Sequence, residues 1–306
     1  MTHWAGRRVL VTGITGFLGA NVVARLLQLG AEVYGVARSP QPKLSAHVLI
    51  GDLTGPDFVH STFREAKPDI VIHLAGQTNA STDKMLILPT FQGNLETTVN
   101  VLTAAADMNC QKIILTGSLE EPEVGVGDDA LPTSPYALSK WGTVLYGRAF
   151  HAMYHTPVVI VRPFMTYGPR QRPTKLVPYI ALSLLQGNVP RVKNAERRVD
   201  WVFIEDVVEG MLAAATVPGV EGRTIDLGTG VATSVRQVVA ELVSVTGATV
   251  EPIFEQGATA LSDTDRVADV AKAEFWLKWK FKTSLREGLA RTVEWYKSEL
   301  VRTTST

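Results

Sequence analysis

A tyrosine and a lysine stand four residues apart, at 136 and 140, and together they could carry out acid–base chemistry. Residues at this spacing share one face of a helix. The ammonium group of Lys140 would stabilise the phenolate of Tyr136, so we expect it to lower the pKa of that phenol. Such a phenol can take a proton from an alcohol or give one to a ketone near neutral pH. Ser118 could hydrogen-bond the same oxygen and orient it.

The tyrosine–lysine pair gains weight from a glycine-rich turn near the N-terminus, because such a pair alone usually marks a solvated helix face. An apolar run at 9–11 predicts a buried strand, and a helical pattern at 17–27 and a second strand at 32–37 follow the turn. Glycine lets the backbone approach a pyrophosphate, and the helix N-terminus offers free N–H groups to that anion. We therefore predict dinucleotide contacts at Gly13, Thr15, Gly16, Phe17, Leu18 and Gly19.

The end of the second predicted strand bears on the choice of cofactor. NAD sites usually place an acid there for the ribose 2′-hydroxyl, whereas an arginine accommodates the 2′-phosphate of NADP. This chain has Arg38 and Ser39 instead of an acid, which favours NADP, with NAD as the alternative. The alternative is that Arg38 is a surface arginine in a loop without a role in binding. Asp52, followed by Leu53, would meet the adenine end, although an aspartate after a strand is also a common turn residue.

Composition excludes several classes of function. The chain has 306 residues, 45% of them hydrophobic, which is enough for a sizeable core. Lys plus Arg and Asp plus Glu both number 30, so no overall charge favours nucleic acid or an anionic membrane. The single cysteine, Cys110, excludes an intrachain disulfide and a cysteine metal cluster. No metal site, signal peptide or membrane-length apolar run is evident, so we expect a cytoplasmic protein.

Strands and helices alternate along the first half of the chain, which predicts an α/β fold with a doubly wound parallel sheet of the Rossmann type. We expect a dinucleotide-binding domain at 1–165 and a smaller α+β substrate lobe at 166–306, with segments near 200–230 returning to the sheet. The further predicted strands are 69–74, 112–116, 158–162, 200–203, 224–227 and 250–254. The further predicted helices are 90–109, 135–154, 177–186, 207–215, 235–246 and 285–300.

Five of the candidate residues directly follow predicted strands, although they are far apart in sequence. Ligands bind parallel sheets outside the carboxyl ends of the strands. The five should therefore meet at one sheet edge: Gly13, Arg38, Asp52, Ala75 and Ser118.

Taken in order, these motifs resemble the extended short-chain dehydrogenase/reductase family, in its nucleotide-sugar epimerase/dehydratase branch. The resemblance covers nearly the whole chain. Its motifs are Thr-Gly-Ile-Thr-Gly-Phe-Leu-Gly at 12–19, Asp-Leu at 52–53, His-Leu-Ala-Gly at 73–76, Asn94, Ser118, Ser-Pro-Tyr-Ala-Leu-Ser-Lys at 134–140, Arg-Pro-Phe at 162–164, Tyr-Gly-Pro at 167–169 and Asp-Trp-Val-Phe-Ile-Glu-Asp-Val at 200–207.

The resemblance implies a role for each matching residue. Tyr136 would be the acid and base, Lys140 would also bind the nicotinamide ribose, and Ser118 would orient the substrate oxygen. Further cofactor contacts would be Leu74, Ala75, Gly76 and Pro163. Contacts with a nucleotide-sugar substrate would be Gln77, Thr78, Ser118, Met165, Lys175, Val177 and Arg198. The resemblance also implies a homodimer formed through a four-helix bundle.

The chain departs from the family pattern at three places. Met165 replaces the usual asparagine after Arg-Pro-Phe, and Val199-Asp200 replaces the usual Arg-Asp, with Arg198 displaced upstream. The sequence Glu-Pro-Glu at 121–123 replaces the usual Val-Tyr-Gly. These departures leave the nucleotide and the sugar open.

The role of Glu120 bears on which reaction the chain catalyses. The candidate reactions all share hydride transfer at C4 of a nucleoside-diphosphate hexose. In 4,6-dehydratases a glutamate at this position removes the C5 proton, but Leu119 replaces the acid found in the dTDP-glucose type. The GDP-mannose type has a serine there, so loss of that acid does not exclude dehydration. Reductases of 4-keto-6-deoxy sugars keep the glutamate without dehydrating. Glu120 can therefore be a base, a sugar-hydroxyl ligand or a loop acid. We predict an NAD(P)-dependent 4-epimerase or 4-ketoreductase first and a dehydratase next, with a reductase of a non-nucleotide carbonyl as a further alternative.

Overall fold

The computed structural model of the chain describes residues 3–41, 45–122, 131–255 and 265–304. In chain order its strands are β1 (Arg8–Thr12), β2 (Glu32–Ala37), β3 (His47–Ile50), β4 (Ile70–His73), β5 (Lys112–Thr116), β6 (Val158–Pro163), β7 (Met165–Tyr167), β8 (Arg191–Lys193), β9 (Arg198–Phe203), β10 (Thr224–Leu227), β11 (Ala232–Ser234) and β12 (Ile253–Glu255). The helices are α1 (Phe17–Gln28), α2 (Pro56–Ala66), α3 (Ile87–Thr90), α4 (Thr97–Asp107), α5 (Pro135–Tyr154), α6 (Leu176–Leu185), α7 (Ile204–Thr216), α8 (Val235–Thr246), α9 (Val270–Leu277) and α10 (Leu285–Thr304).

Seven strands form one parallel sheet in the order β10-β6-β5-β4-β1-β2-β3. Its central strands read as continuous apolar runs because helices cover both faces of a parallel sheet, and Val9, Leu10 and Val11 are fully buried. The predicted α/β Rossmann fold is confirmed. Strand order reverses at β1 and β4, and the carboxyl ends of these two strands are where such a sheet forms its ligand crevice.

The predicted helix at 90–109 is interrupted in the structure. α3 ends at Thr90, a π-helical turn occupies Phe91–Glu96, and α4 begins at Thr97. The apolar positions of this stretch suit one continuous helix, so periodicity alone misses the interruption. π-Helical turns often occur at functional sites. The last predicted strand is also shorter, at Ile253–Glu255. Among the described residues, five elements have no counterpart among the predicted ones: α2, α9, β7, β8 and β11.

The chain divides into two compact units. The first comprises Met1–Arg162, Gly210–Ile225 and Phe275–Trp279, and the second comprises Pro163–Glu209, Asp226–Glu274 and Lys280–Thr306. In the second unit β9 pairs in parallel with β7 and antiparallel with β11, while α6, α8 and α10 pack on one another.

The described ranges lack two further features, a membrane-spanning helix and a cluster of metal ligands. None of the helices there has both the length and the apolar character needed to cross a membrane. The same residues contain no group of three or more histidine, cysteine, aspartate or glutamate side chains arranged to hold a metal ion.

Candidate active site

The register of α5 sets the positions of the tyrosine and the lysine. Ser134 caps the helix, its hydroxyl accepting the amide hydrogen of Ala137 at 3.1 Å, and Pro135 occupies the first helical position. Both residue types favour a helix start at these places, because the cap satisfies a free N–H and proline has none to satisfy. Tyr136 therefore lies in the first turn, with Lys140 one turn further on.

The ammonium group of Lys140 is half-buried and donates a hydrogen bond to the Thr116 hydroxyl, 3.0 Å away at the end of β5. Burial lowers the pKa of Lys140 to about 8, because the charged form loses hydration. The negative charge of the Glu121 carboxylate raises the pKa of Lys140, because it favours the charged ammonium. The lysine is therefore charged at neutral pH and close to its neutral form in mild alkali.

The phenol of Tyr136 corrects one expectation. Burial raises the pKa of Tyr136, whereas a hydrogen bond from Ser118 lowers it, and the negative charges of Glu120 and Glu121 raise it. We predicted that Lys140 lowers the pKa of Tyr136, and this prediction is wrong for this structure. The Lys140 ammonium is hydrogen-bonded to Thr116, and the pKa of the phenol is raised. Tyr136 is thus a protonated phenol at neutral pH, the form that gives a proton to a ketone.

Ser118 lies in a tight turn that follows β5. The amide of Glu120 donates to the Ser118 hydroxyl at 3.1 Å, and the amide of Glu121 donates to the Ser118 carbonyl at 3.2 Å. The Ser118 amide in turn donates to a carboxylate oxygen of Glu121. The hydroxyl of Ser118 therefore has a fixed position, with its own hydrogen free to point at Tyr136. Glu120 is half-buried beside the same phenol.

The glycine turn has the shape that a dinucleotide needs. Gly13 has φ +68°, and a Cβ there would lie 2.7 Å from the backbone of Leu74 and Ala75. A Cβ at Gly19 would lie 2.1 Å from the Gly13 carbonyl oxygen. Gly16 occupies the N-cap of α1 and makes no side-chain cap, so the first N–H groups of the helix point outward as an anion site. The chain's own residues thus fit a pyrophosphate.

A buried hydrogen-bond network joins the ends of β1 and β4, and sequence reasoning did not find it. The Thr12 hydroxyl accepts the amide hydrogens of Leu74 and Ala75 at 3.1 and 3.0 Å. Its lone pairs are then used, so its hydrogen points to His73 Nδ1, 2.8 Å away. His73 therefore carries its hydrogen on Nε2, which faces the Thr98 hydroxyl at 3.2 Å. Burial, with the Lys140 charge, lowers the pKa of His73 to about 3.

The predicted adenine-end residues lie on two adjacent strand ends. Arg38 follows β2 and Asp52 follows β3, and both side chains are exposed. Asp52 accepts hydrogen bonds from the amide and hydroxyl of Thr54 at 2.9 and 3.0 Å. The pKa of Asp52 is lowered mainly by the bond from the Thr54 amide, with a smaller contribution from the charge of Arg38. The two side chains are thus near neighbours, while Leu53 is buried.

Gln77 and Thr78 lie on an exposed loop beyond β4. Asn94, in the π-helical turn, accepts the amide hydrogen of Gln77 at 2.6 Å and donates to the hydroxyl of Ser139 on α5 at 2.8 Å. A Cβ at Gly76 would lie 2.6 Å from the Asn94 side-chain oxygen. The interrupted helix thus connects the loop to the helix that carries Tyr136.

The remaining predicted substrate contacts lie in the second unit and are described within it. Met165 on β7 is half-buried, and Lys175 is an exposed N-cap of α6. The side chain of Val177 is buried in the core of its unit, so only its backbone can meet a ligand. Arg198 donates to the Ala232 carbonyl at 2.9 Å and lies 3.0 Å from the Asp265 carboxylate. Pro163 ends β6.

Comparison with known proteins agrees with this geometry. The sequence model of the NAD-dependent epimerase/dehydratase family matches residues 9–228. The chain belongs to this family. The predicted family and its class of enzyme are therefore confirmed.

Two curated relatives of the family are similar over most of the chain. A UDP-glucose 4-epimerase of Mycolicibacterium smegmatis is 30% identical over 322 residues, which cover 95% of this chain and 99% of the relative. A dTDP-D-glucose 4,6-dehydratase of Mus musculus is 30% identical over 318 residues, which cover 95% of this chain and 89% of the relative. Among solved structures, the UDP-glucose 4-epimerase of Thermotoga maritima with UDP-glucose superposes with a TM-score of 0.87 at 26% identity, covering 95% of this chain and 99% of that one.

Glu121 is the charged residue of the site that sequence reasoning missed, since it entered only as a departure from the family pattern. Its carboxylate is buried, accepts from Ser118 and lies 3.7 Å from the guanidinium of Arg162. β5 and β6 are neighbouring strands, so an acid after one and an arginine at the end of the other could have predicted this pair. Glu123 lies outside the described residues.

Proposed function

We propose that this chain transfers a hydride to or from C4 of a nucleoside-diphosphate hexose, as a 4-epimerase or as a reductase of 4-keto-6-deoxy sugars. The observation that carries the proposal is the placement of Ser118 beside the Tyr136 phenol, whose pKa it lowers, with Lys140 one helical turn away. The relatives named above, an epimerase and a dehydratase acting on nucleotide glucose, support this class of substrate.

The chain's own residues supply the proton and the orientation. The protonated phenol of Tyr136 gives its proton to the C4 oxygen when the ketone is reduced. For oxidation of the alcohol the phenol must first lose its proton, and it then takes the proton of the C4 hydroxyl. Ser118 holds the C4 oxygen on the phenol. Lys140 binds the ribose beside the nicotinamide, as the family resemblance implies. A bound nicotinamide supplies the hydride acceptor in its oxidised form and the donor in its reduced form.

A 4,6-dehydratase is the second candidate, and one observation favours it. The negative charge of Glu120 raises the pKa of the Tyr136 phenol, so this carboxylate lies on the side of the site that holds the phenol. It could remove the C5 proton after C4 is oxidised. Leu119 offers no acid for the departing hydroxyl. Ser118, Tyr136 and Lys140 suffice for an epimerase and for a ketoreductase, so these two reactions stand first.

Mass spectrometry of the products separates the candidates. The purified protein is incubated with a panel of UDP- and dTDP-hexoses, first with no added cofactor. An isomer of equal mass indicates an epimerase, and a product lighter by one water indicates a dehydratase. NADPH-dependent gain of two hydrogens on a 4-keto-6-deoxy substrate indicates a ketoreductase. If no nucleotide sugar reacts and UDP does not raise the melting temperature, the reductase of a non-nucleotide carbonyl replaces the proposal.

We propose NADP as the preferred dinucleotide, with NAD as the alternative. Arg38 is exposed at the end of β2, where a 2′-phosphate would lie, and no acid stands in its place. The measurement is the ratio of the dissociation constants for NADPH and NADH in Arg38→Ala. We expect NADPH affinity to fall about tenfold, the value of one charge-assisted hydrogen bond, with NADH affinity unchanged. Arg64→Ala, an exposed arginine of α2, is the control.

We also propose a homodimer formed through α5 and the segment 85–107. Large apolar side chains are exposed along these helices: Met85, Leu88, Phe91, Leu138, Leu145 and Tyr146. An exposed patch of this kind marks an interaction surface. Light scattering should give twice the chain mass for the wild type and a monomer for Leu145→Asp. Val301→Asp, at an exposed apolar site on α10, should stay dimeric.

The substrate contacts at Gln77, Thr78, Met165, Lys175, Val177 and Arg198 belong to the same proposal. Arg198 already bonds Ala232 and Asp265. It would have to exchange those partners for a substrate phosphate.

A further inference from the structure

Glu121 is a charged residue with only 3% of its side chain exposed. A buried carboxylate is costly unless hydrogen bonds and an opposite charge compensate it. One carboxylate oxygen accepts the amide hydrogen of Ser118, and the other lies 3.7 Å from Nη1 of Arg162. The compensation therefore comes from two strand ends, those of β5 and β6.

The fit around this carboxylate is tight. A Cβ on Gly117 would lie 2.5 Å from the Glu121 oxygen, so any larger residue there would displace this carboxylate. The amide of Gly117 donates to the Val161 carbonyl at 2.8 Å, which continues the pairing of β5 and β6 up to the turn. Because Glu121 bonds the Ser118 amide with its side chain and the Ser118 carbonyl with its backbone, Ser118 is held on both sides.

Four charged groups surround the acid–base site within the described residues. Lys140 and Arg162 are positive, and Glu120 and Glu121 are negative, while His73 is neutral. The charges of this group balance only while Glu121 is ionised. Its carboxylate also favours the charged form of Lys140, as noted above.

We propose that Glu121 is a positioning residue of the acid–base site: its buried carboxylate, paired with Arg162, holds the Ser118 turn so that the serine hydroxyl stays on the Tyr136 phenol. The inference rests on the proposed function, because it assumes that Ser118 and Tyr136 meet the substrate. Glu121 itself bonds the Ser118 backbone and acts through it.

The test compares Glu121→Gln with Glu65→Gln, the same change at an exposed site on α2. Turnover and KM are measured against pH on the nucleotide hexose that the wild type converts, and dinucleotide affinity is measured separately. We expect kcat of Glu121→Gln to fall about 10- to 100-fold, as for a small misplacement of a catalytic group. KM and dinucleotide affinity should change little. Glu65→Gln should match the wild type.

The pH profile distinguishes positioning from a general loss of structure. Loss of the Glu121 charge should shift the alkaline limb of kcat to lower pH, because Lys140 then loses its proton more readily. Arg162→Met removes the opposite charge and should shift the same limb to higher pH. The double variant should be no slower than Glu121→Gln, since partners in one pair are not additive. A merely structural role would not give opposite shifts.

Each outcome decides the matter. Wild-type kcat and pH profile in Glu121→Gln would overturn the inference and leave the proposed function standing. Equal losses in kcat, dinucleotide affinity and melting temperature, with no shift of the pH profile, would also overturn it. If Glu121→Gln does not fold, the test rests on Arg162→Met. A wild-type kcat in Arg162→Met would overturn the inference. A wild type that converts no nucleotide hexose overturns the proposed function and the inference together.

Discussion

The dinucleotide turn and the acid–base site lie in one unit of the molecule but are built in opposite ways. The turn consists of backbone, glycines and neutral groups, with the Thr12 hydroxyl and a neutral His73 joining two strand ends. The acid–base site instead gathers charged side chains around Tyr136. One region depends on close backbone contact, whereas the other depends on a balance of charge.

From this difference we expect the two regions to tolerate different kinds of substitution. A single added methyl group, as in a glycine-to-alanine substitution, should disrupt the turn. Changes of charge on neighbouring side chains should have little effect on it. The acid–base site should tolerate small changes of volume and respond to any change of charge or of a proton-carrying oxygen.

Tyr136→Phe removes the proton-carrying oxygen and little else. We expect kcat to fall about 10²- to 10⁴-fold, the usual contribution of general acid–base catalysis, with dinucleotide affinity retained. Turnover of the isolated variant on the wild type's nucleotide hexose provides the measurement. Tyr154→Phe, near the exposed end of the same helix, serves as the control. Full turnover in a folded Tyr136→Phe protein would remove the tyrosine from the mechanism.

Gly13→Ala tests the close backbone contact at the turn. Both Gly13 and Gly247 have φ +68°, but a Cβ at Gly247 meets nothing within 4 Å. Gly247→Ala should therefore cost only about 1–2 kcal/mol for the left-handed backbone. Gly13→Ala should cost more and should abolish dinucleotide binding, measured by nicotinamide fluorescence. Equal losses of stability with intact binding would show that the contact with Leu74 and Ala75 does not shape the site.

Thr12→Val removes the hydroxyl that joins the two strand ends. Two amide hydrogens and His73 then lose their partner, so we expect a loss of about 2–4 kcal/mol in unfolding free energy. Dinucleotide affinity should fall with it. Thr12→Ser keeps the oxygen and should restore most of both quantities. Denaturant unfolding of the three proteins makes the comparison, and a valine variant as stable as the serine variant would contradict the network.

The pH dependence of stability should separate the two regions. His73 has a pKa of about 3 in the fold against 6.5 ordinarily, so the unfolded chain takes up the proton first and stability falls as pH drops from 6.5 to 3. Lys140 has a pKa of about 8 against 10.5, so its contribution makes stability rise between pH 8 and 10.5.

Two variants isolate these contributions in unfolding experiments across pH. Relative to wild type, His73→Gln should lose less stability in acid. Lys140→Met should gain less stability in alkali. Parallel curves for all three proteins would contradict the assigned protonation states.

The sequence predicted the parts of this architecture that depend on local pattern. Alternating apolar runs indicated the parallel sheet, and Ser134 with Pro135 marked the start of α5. The glycine spacing of the turn reflects contacts that only glycine allows. These features depend on neighbouring residues, so one chain was enough to find them.

Features that depend on several distant segments were not predictable in the same way. The direction of the Tyr136 pKa shift depends on burial and on two glutamates of another turn. The π-helical turn at Phe91–Glu96 interrupts a pattern that reads as one helix. The partners of Arg198 come from distant positions in its unit. Pairing of Glu121 with Arg162 required knowing which strand ends are neighbours.

Hydride transfer from C4 is the central claim, and an isotope label tests it most directly. UDP- and dTDP-hexoses deuterated at C4 are incubated with the protein and oxidised dinucleotide in a single turnover, which covers oxidation by an epimerase, a dehydratase or a ketoreductase run in reverse. We predict that the deuterium passes through the nicotinamide and is not lost to water: it is recovered at C4 of an epimerised sugar, at C6 of a dehydrated sugar, or on the reduced nicotinamide of a ketoreductase run in reverse. Conversion should also be slower than with hydrogen at C4. Loss of the deuterium to solvent during conversion of the sugar would contradict the account.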